Sequence, residues 1–352
     1  MVKQLMNYRF RPPLRKKWLR AGSEDARHVA ALAGVTQREI IETARRSIYY
    51  GVEVELPGPT KGALLEAIGA VDASPSDFWY CKTDGSIPYT GVEMVSQPAT
   101  ERFHLHRFGW AALWERLESI PTFAGLYEDL WNACGMHVHV GRKDISPLAS
   151  WRLLVLLNAF PELVQDMAGR RHNSWCQSLG RPVLDRLFAC TAAEAGVYLH
   201  GVGIAGVVPE AFCATPVPRH FLNGRYAALN VQNRGTLELR IFAAPRSPGE
   251  FWTRMEAAFA LTGFANAVPV NPDGETSVPQ ELALTQENFL AWVAAQRARF
   301  PHLVELLTAK GYLEKPLKMT AQGQIWLPFV DELQLTDAEI LRDTPASRRR
   351  RH

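Results

Sequence analysis

The run Gly51-Val52-Glu53-Val54-Glu55-Leu56 alternates strictly between apolar and acidic side chains. A β-strand has a two-residue side-chain period, so Val52, Val54 and Leu56 share one face and both carboxylates share the other. His137-Val138-His139-Val140 repeats the pattern with two imidazoles opposite two valines, and Thr236-Leu237-Glu238-Leu239-Arg240-Ile241 projects Glu238 together with Arg240. Gly91-Val92-Glu93-Met94-Val95 adds a single acid. Each apolar face must pack on something, which predicts helices against a sheet and leaves the polar faces lining one concave surface. Any one of these strands is accounted for by a solvent-facing position in an antiparallel sheet. The four together fit that account less well, because surface strands usually carry Thr, Lys and Ser instead.

Carboxylates two residues apart on one strand repel each other unless they share a cation, and Glu is rarely buried without a partner. Glu53, Glu55, Glu93 and Glu238 supply hard oxygen ligands that favour Mg²⁺ or Mn²⁺ over zinc, and one or two imidazoles pull toward Mn²⁺. Arg240 cannot ligate a metal. Beside a metal cluster its guanidinium suits a phosphate, so a metal-nucleotide complex is the expected ligand.

The 352-residue length suits one large domain or two smaller ones. An apolar fraction of 47%, a charged fraction of 21% and ten Trp exclude disordered and fibrous classes. The longest apolar stretch, 151–160, is interrupted by Arg152 and Asn158 and is about half the length of a membrane span. No apolar run after the first basic residues resembles a signal peptide, so a cytoplasmic location is expected. Cys81, Cys134, Cys176, Cys190 and Cys213 never form CxxC and read as reduced, packed thiols. The net charge of +3 is uneven: seven basic residues precede position 21 without an acid, and Arg348 to Arg351 close the chain. Those eleven charges taken from +3 leave −8 for residues 21–343, an acidic body between basic ends that read as solvated tails.

The patterning predicts an α+β fold, strands packed against helices. Strands are expected at 48–56, 91–96, 136–141, 198–208 and 227–243, and helices at 62–71, 108–117 and 248–267. Ser146-Pro147 reads as the start of one long helix through Met167. Two or three helices should follow residue 280. The expected division is a basic, helical N-terminal extension (1–46), a main domain that carries the four strands (47–275), a helical C-terminal region (276–343) and a basic tail (344–352). Residues 22–46 fit a helix-turn-helix with Thr36 as N-cap, yet Ile40 and Ile41 fit an ordinary packing hairpin as well. Gly201-Val202-Gly203-Ile204-Ala205-Gly206 matches a dinucleotide fingerprint but runs on into Val207, Val208 and Pro209 instead of opening a helix. Cys134 reads as a packed thiol, His104 and His106 as surface or helix-start residues, and Trp110 and Trp114 as core anchors.

A set of motifs in fixed order then carries a resemblance. Gly51-x-Glu53-x-Glu55 is followed by Asp84-Gly85-Ser86 with Gly91-Val92-Glu93 and Ser96-x-Pro98, then by Cys134-Gly135-Met136-His137-Val138-His139. Arg225-Tyr226-x-Ala228-x-Asn230 and Thr236-Leu237-Glu238-Leu239-Arg240 complete it. This order, from about residue 48 to 265, resembles the amidoligase family, itself similar to glutamine synthetase and glutamate-cysteine ligase. The resemblance implies ATP-dependent joining of a carboxylate to an amine through an acyl phosphate, on an antiparallel sheet curved around two or three divalent ions. It implies Glu53, Glu55, Glu93, His137 and Glu238 as metal ligands, and His139 and Arg240 near the nucleotide phosphates. Arg225 and Asn230 would face phosphate or substrate, and Asp84 lies in a matching segment. Arg170-Arg171 followed by Trp175-Cys176 resembles a family Tyr-Cys segment with an upstream Arg, Trp replacing Tyr. The expected partners are small-molecule or peptide carboxylates and amines, with neither membrane nor nucleic acid. Two other classes fit parts of the chain: a DNA-binding or scaffold protein using residues 22–46 and the basic ends, and a metal-dependent hydrolase using the same carboxylates without a nucleotide.

Overall fold

The computed structural model describes residues 2–7, 48–72, 78–171 (except 88, 89, 107, 122, 124, 127 and 146), Cys176, 226–267 (except 234) and 284–314. The 22–46 hairpin, Arg225, Trp175, the 198–208 strands with their glycine motif, and the Arg-rich tail lie outside the described residues.

The strands are β1 (Leu5–Met6), β2 (Tyr49–Leu56), β3 (Trp79–Lys82), β4 (Val92–Ser96), β5 (Ala99–Thr100), β6 (Gly135–Gly141), β7 (Leu229–Asn230) and β8 (Thr236–Ala243). They form one open sheet in the order β1-β3-β4-β2-β6-β8-β7, with β5 also paired to β2. All pairings are antiparallel except β1 with β3. The described helices are α1 (Lys61–Val71), α2 (Glu101–His106), α3 (Trp110–Glu118), α4 (Glu128–Asn132), α5 (Pro147–Ala159), α6 (Pro161–Ala168), α7 (Pro248–Ala267), α8 (Gln286–Ala295) and α9 (Pro301–Ala309). The architecture is therefore α+β with a mostly antiparallel sheet, and none of the described helices is long and apolar enough to cross a membrane.

The two-residue period sorts the sheet into a wet and a dry side. Tyr50, Val52, Val54, Val138, Val140, Leu237 and Leu239 are buried in the core, and each such side chain contributes about 1.5–3 kcal/mol relative to exposure. Helix α7 lies on this side, where Phe259 meets the Tyr50 ring edge-on at 4.7 Å and Phe251 meets Trp110 at 4.5 Å. Trp110 and Trp114 are core anchors as expected. Helices α8 and α9 pack in turn on α7: Phe289 and Trp292 lie against Phe264, and the buried Glu256 carboxylate accepts the Leu303 N–H at the start of α9.

Three expectations are corrected. The single helix predicted from Ser146 to Met167 is two, because Pro161 has no N–H to continue the ladder and instead opens α6 at its first turn. Residues 2–7 are not a solvated tail: β1 joins the sheet beside β3, and the buried Lys3 ammonium pairs with Asp72 at 2.8 Å. His104 is not a surface residue but fully buried. Its Nε2 lies 2.9 Å from the Tyr50 carbonyl oxygen and its Nδ1 accepts from Trp110 Nε1 at 3.2 Å, with Phe108 stacked on the ring.

That bonding pattern satisfies a neutral imidazole, and a proton on Nδ1 would face the indole N–H head-on. Burial pushes the His104 pKa from 6.5 down to about 4. The unfolded chain therefore takes up this proton first, so the contribution of His104 is complete above about pH 6.5 and is lost as pH falls toward 4. Denaturant titrations should show stability falling more steeply between these limits in the wild type than in His104→Gln; parallel curves would contradict the buried neutral ring.

Candidate metal centre

On the wet side of the sheet, strand pairing aligns the polar residues in a rank. Lys82 stands opposite Glu93, Glu93 opposite Glu55, Glu53 opposite His137, His139 opposite Glu238, and Glu238 opposite Asn230. Residues distant in sequence thus converge through register alone. One ligand atom each from Glu53, His139 and Glu238 lies within 4.8 Å of the others. Atoms this close would hold one divalent ion after a small inward shift. His137 Nδ1 is 3.5 Å from both Glu53 Oε2 and Glu238 Oε1.

The resemblance assigns His137 to the metal and His139 to the phosphates, whereas the geometry groups His139 with the two acids. Its Nδ1 is 3.1 Å from Thr236 Oγ1, which orients the ring and leaves Nε2 toward Glu53 at 3.5 Å. A ligand imidazole is usually held in this way by its second nitrogen. Glu238 is held likewise: Asn230 Nδ2 and Asn233 Nδ2 donate to its Oε2 at 2.8 and 3.0 Å, and Arg240 donates to its Oε1. Asn230, expected to face phosphate or substrate, here positions a carboxylate.

Glu55 and Asp84 form a flank. The Gly135 N–H donates to Glu55 Oε2, and Ser86 Oγ lies 3.5 Å from Glu55 Oε1. Asp84 accepts from the Ser86 N–H at 2.7 Å and reaches the cluster through that serine. Arg225 lies outside the described residues.

Two irregularities aim the side chains. Glu53 pairs with Val95 but Tyr50 with Ala99, so β2 is opposed by one extra residue around Pro98. The Ser96 hydroxyl accepts the Val52 N–H there at 2.8 Å, which gives Ser96-x-Pro98 its structural meaning. The second shift lies between Met136 and Val138, where Arg240 and Ile241 of β8 are opposed by His137 alone. Arg170 donates to the carbonyls of Arg240 at 2.6 Å and Ile241 at 3.1 Å. A Cβ on Gly135 would stand 3.1 Å from that guanidinium, so glycine makes room for it.

Sequence reasoning missed Lys82. Its buried ammonium is 3.1 Å from Glu93 Oε1 and 3.8 Å from Glu53 Oε1. The available signal was the alternation Tyr80-Cys81-Lys82 before Asp84-Gly85-Ser86, which puts Lys82 on the wet face.

Crowding divides the acids. Burial alone would raise the Glu53 carboxyl, but the His139 charge, the His137 imidazole beside it and Lys82 hold it well below the usual range. Glu238 is lowered against burial by His139, His137 and Arg240. Burial and then the Glu53 charge push Glu93 up to about 9, with Lys82 only partly offsetting them. Burial raises Glu55 despite the His137 charge and the Gly135 N–H. Burial opposes the charged form of His139, yet Glu53 and then Glu238 raise its pKa. Glu93 Oε2, His139 Nε2 and Arg240 Nε are buried without a hydrogen-bond partner among the described residues. Such atoms are costly to leave unsatisfied, so the donor set fits a divalent cation with an anion beside it.

Comparison with known protein families gives no match, and no curated protein matches the chain.

An ion that binds only the folded state stabilises it by about 2.7 kcal/mol at one hundred times its dissociation constant. Mn²⁺ should therefore raise the melting temperature of the wild type and leave that of Glu238→Gln nearly unchanged. Equal shifts in both proteins would place the ion elsewhere.

Proposed function

We propose that this protein is an ATP-dependent carboxylate-amine ligase of the amidoligase type, with a glutamine synthetase-like sheet and Mg²⁺ or Mn²⁺ accompanying the nucleotide. The observation that carries the reading is the convergence of Glu53, His139 and Glu238, from three strands, beside Arg240 on the buried polar face of an antiparallel sheet. The ordered motifs from Gly51 to Arg240 support it independently, because the strands that bear them are neighbours in the sheet.

The bound ion would neutralise charge on the terminal phosphates of ATP. Glu53, His139 and Glu238 would hold it. Arg240, already hydrogen-bonded to Glu238, presents the rest of its guanidinium to a phosphoryl oxygen and stabilises charge that develops during transfer. A carboxylate oxygen of the substrate attacks the γ-phosphorus and ADP departs, leaving an acyl phosphate. An amine then attacks the acyl carbon, phosphate leaves, the nitrogen gives up a proton, and an amide or isopeptide bond remains. Asn230 and Asn233 keep Glu238 in place, while Thr236 keeps His139 turned toward the acids. Glu53, His139 and Arg240 are the partly exposed members of the cluster, so they form its mouth, whereas Glu93 and Glu238 form its floor.

The test is a screen of amino acids and peptides for stimulated ADP formation with Mg²⁺, followed by the mass of the product. Glu53→Gln and Glu238→Gln should each abolish ADP release while retaining wild-type secondary structure. Arg240→Lys should lower kcat by at least tenfold, because an ammonium lacks the planar fork. Undiminished metal-dependent ADP release in the Glu variants would contradict the assignment, and substrate cleavage without nucleotide would identify a hydrolase.

A further inference from the structure

We propose that the centre holds one divalent cation, at Glu53, His139 and Glu238, and that the Lys82 ammonium occupies the place on the Glu93 side where a second would sit. The inference rests on the ligase reading only for the first ion and concerns how this chain fills the rest of its acidic face.

Four carboxylates on one face could bridge two ions, in the pattern of two-metal centres whose ions stand about 3.5–4 Å apart. Here one half of the rank is already neutralised. Lys82 Nζ stands 3.1 Å from Glu93 Oε1 and 3.8 Å from Glu53 Oε1, so it lies where an ion bridging these carboxylates would be. The side chain is only 4% exposed, and β3 pairing sets Lys82 directly opposite Glu93, so the ammonium is held among the acids. Glu55, the other acid on that side, is turned to the Gly135 N–H and Ser86. A divalent ion placed here would meet a fixed positive charge at contact range and would find one oxygen of each acid already used.

In the opposite half of the rank the built-in cation, Arg240, pairs with one carboxylate and bridges no two acids among the described residues. Arg240 sits at its rim and pairs with one oxygen of Glu238, while His139 Nε2 is buried without a hydrogen-bond partner. On the Lys82 side the buried Glu93 keeps one unpartnered oxygen, Oε2. Removing the ammonium would free Oε1 as well and open a second site between Glu93 and Glu53.

The experiment counts Mn²⁺ bound to the full chain by calorimetry and by electron paramagnetic resonance, with no nucleotide present. The wild type and Lys82→Arg should bind one ion with an isolated Mn²⁺ spectrum. Lys82→Met, or Lys82→Gln should the first variant fail to fold, should bind two, with the broadened spectrum of a coupled pair. Two ions in the wild type, or one in the folded neutral variants, would overturn the role of Lys82 and leave the metal centre standing. No ion in the wild type would overturn the metal centre and this inference together.

Discussion

Like charges held on one buried face of a sheet are the constraint around which the molecule is arranged. Glu53, Glu55, Glu93 and Glu238 cannot all be ionised at close range in a poorly solvated place without positive charge among them. The protein supplies part of that charge itself, from Lys82, Arg240 and the raised pKa of His139, and leaves Glu93 among the most reluctant acids to ionise. What remains unsatisfied among the described residues, a buried imidazole nitrogen, a carboxylate oxygen and a guanidinium nitrogen, is what the proposed cation and anion would complete.

The dry side of the sheet makes this possible. Valines and leucines that alternate with the acids are packed beneath α7, so each carboxylate is anchored by a neighbour that is costly to move. Two irregularities in pairing set the angles at which the polar residues emerge. Ser96 substitutes a hydroxyl for a ladder partner near Pro98, and Arg170 takes up carbonyls where Arg240 and Ile241 crowd a single residue of β6. The site therefore depends on residues that carry no side chain into the cluster, such as Gly135, whose missing side chain admits the Arg170 guanidinium.

Much of this was legible in the chain. A strict two-residue period names both faces of a strand, which is why the strands carrying Glu53, Glu93, His139 and Glu238 and their wet sides could be read directly. The interior of α7 was equally plain, from Pro248 to Ala267. Other features depend on spatial partners and leave a weak local trace. His104 looks polar in sequence and becomes core because Tyr50 and Trp110 meet both ring nitrogens. Lys3 sits in a basic run, yet its partner Asp72 is sixty-nine residues away. Both histidines of β6 reach the acids, and the shift between β6 and β8 beside them has no reliable signature in the residues that flank it. Pro161 stands inside a continuous apolar pattern, which masks the break between α5 and α6.

Anomalous diffraction from crystals grown with Mn²⁺ tests the central claim most directly. The account predicts a manganese peak within bonding distance of Glu53, His139 and Glu238, on the polar face of the sheet. A peak at other residues, or these three side chains pointing away from one another, would contradict it.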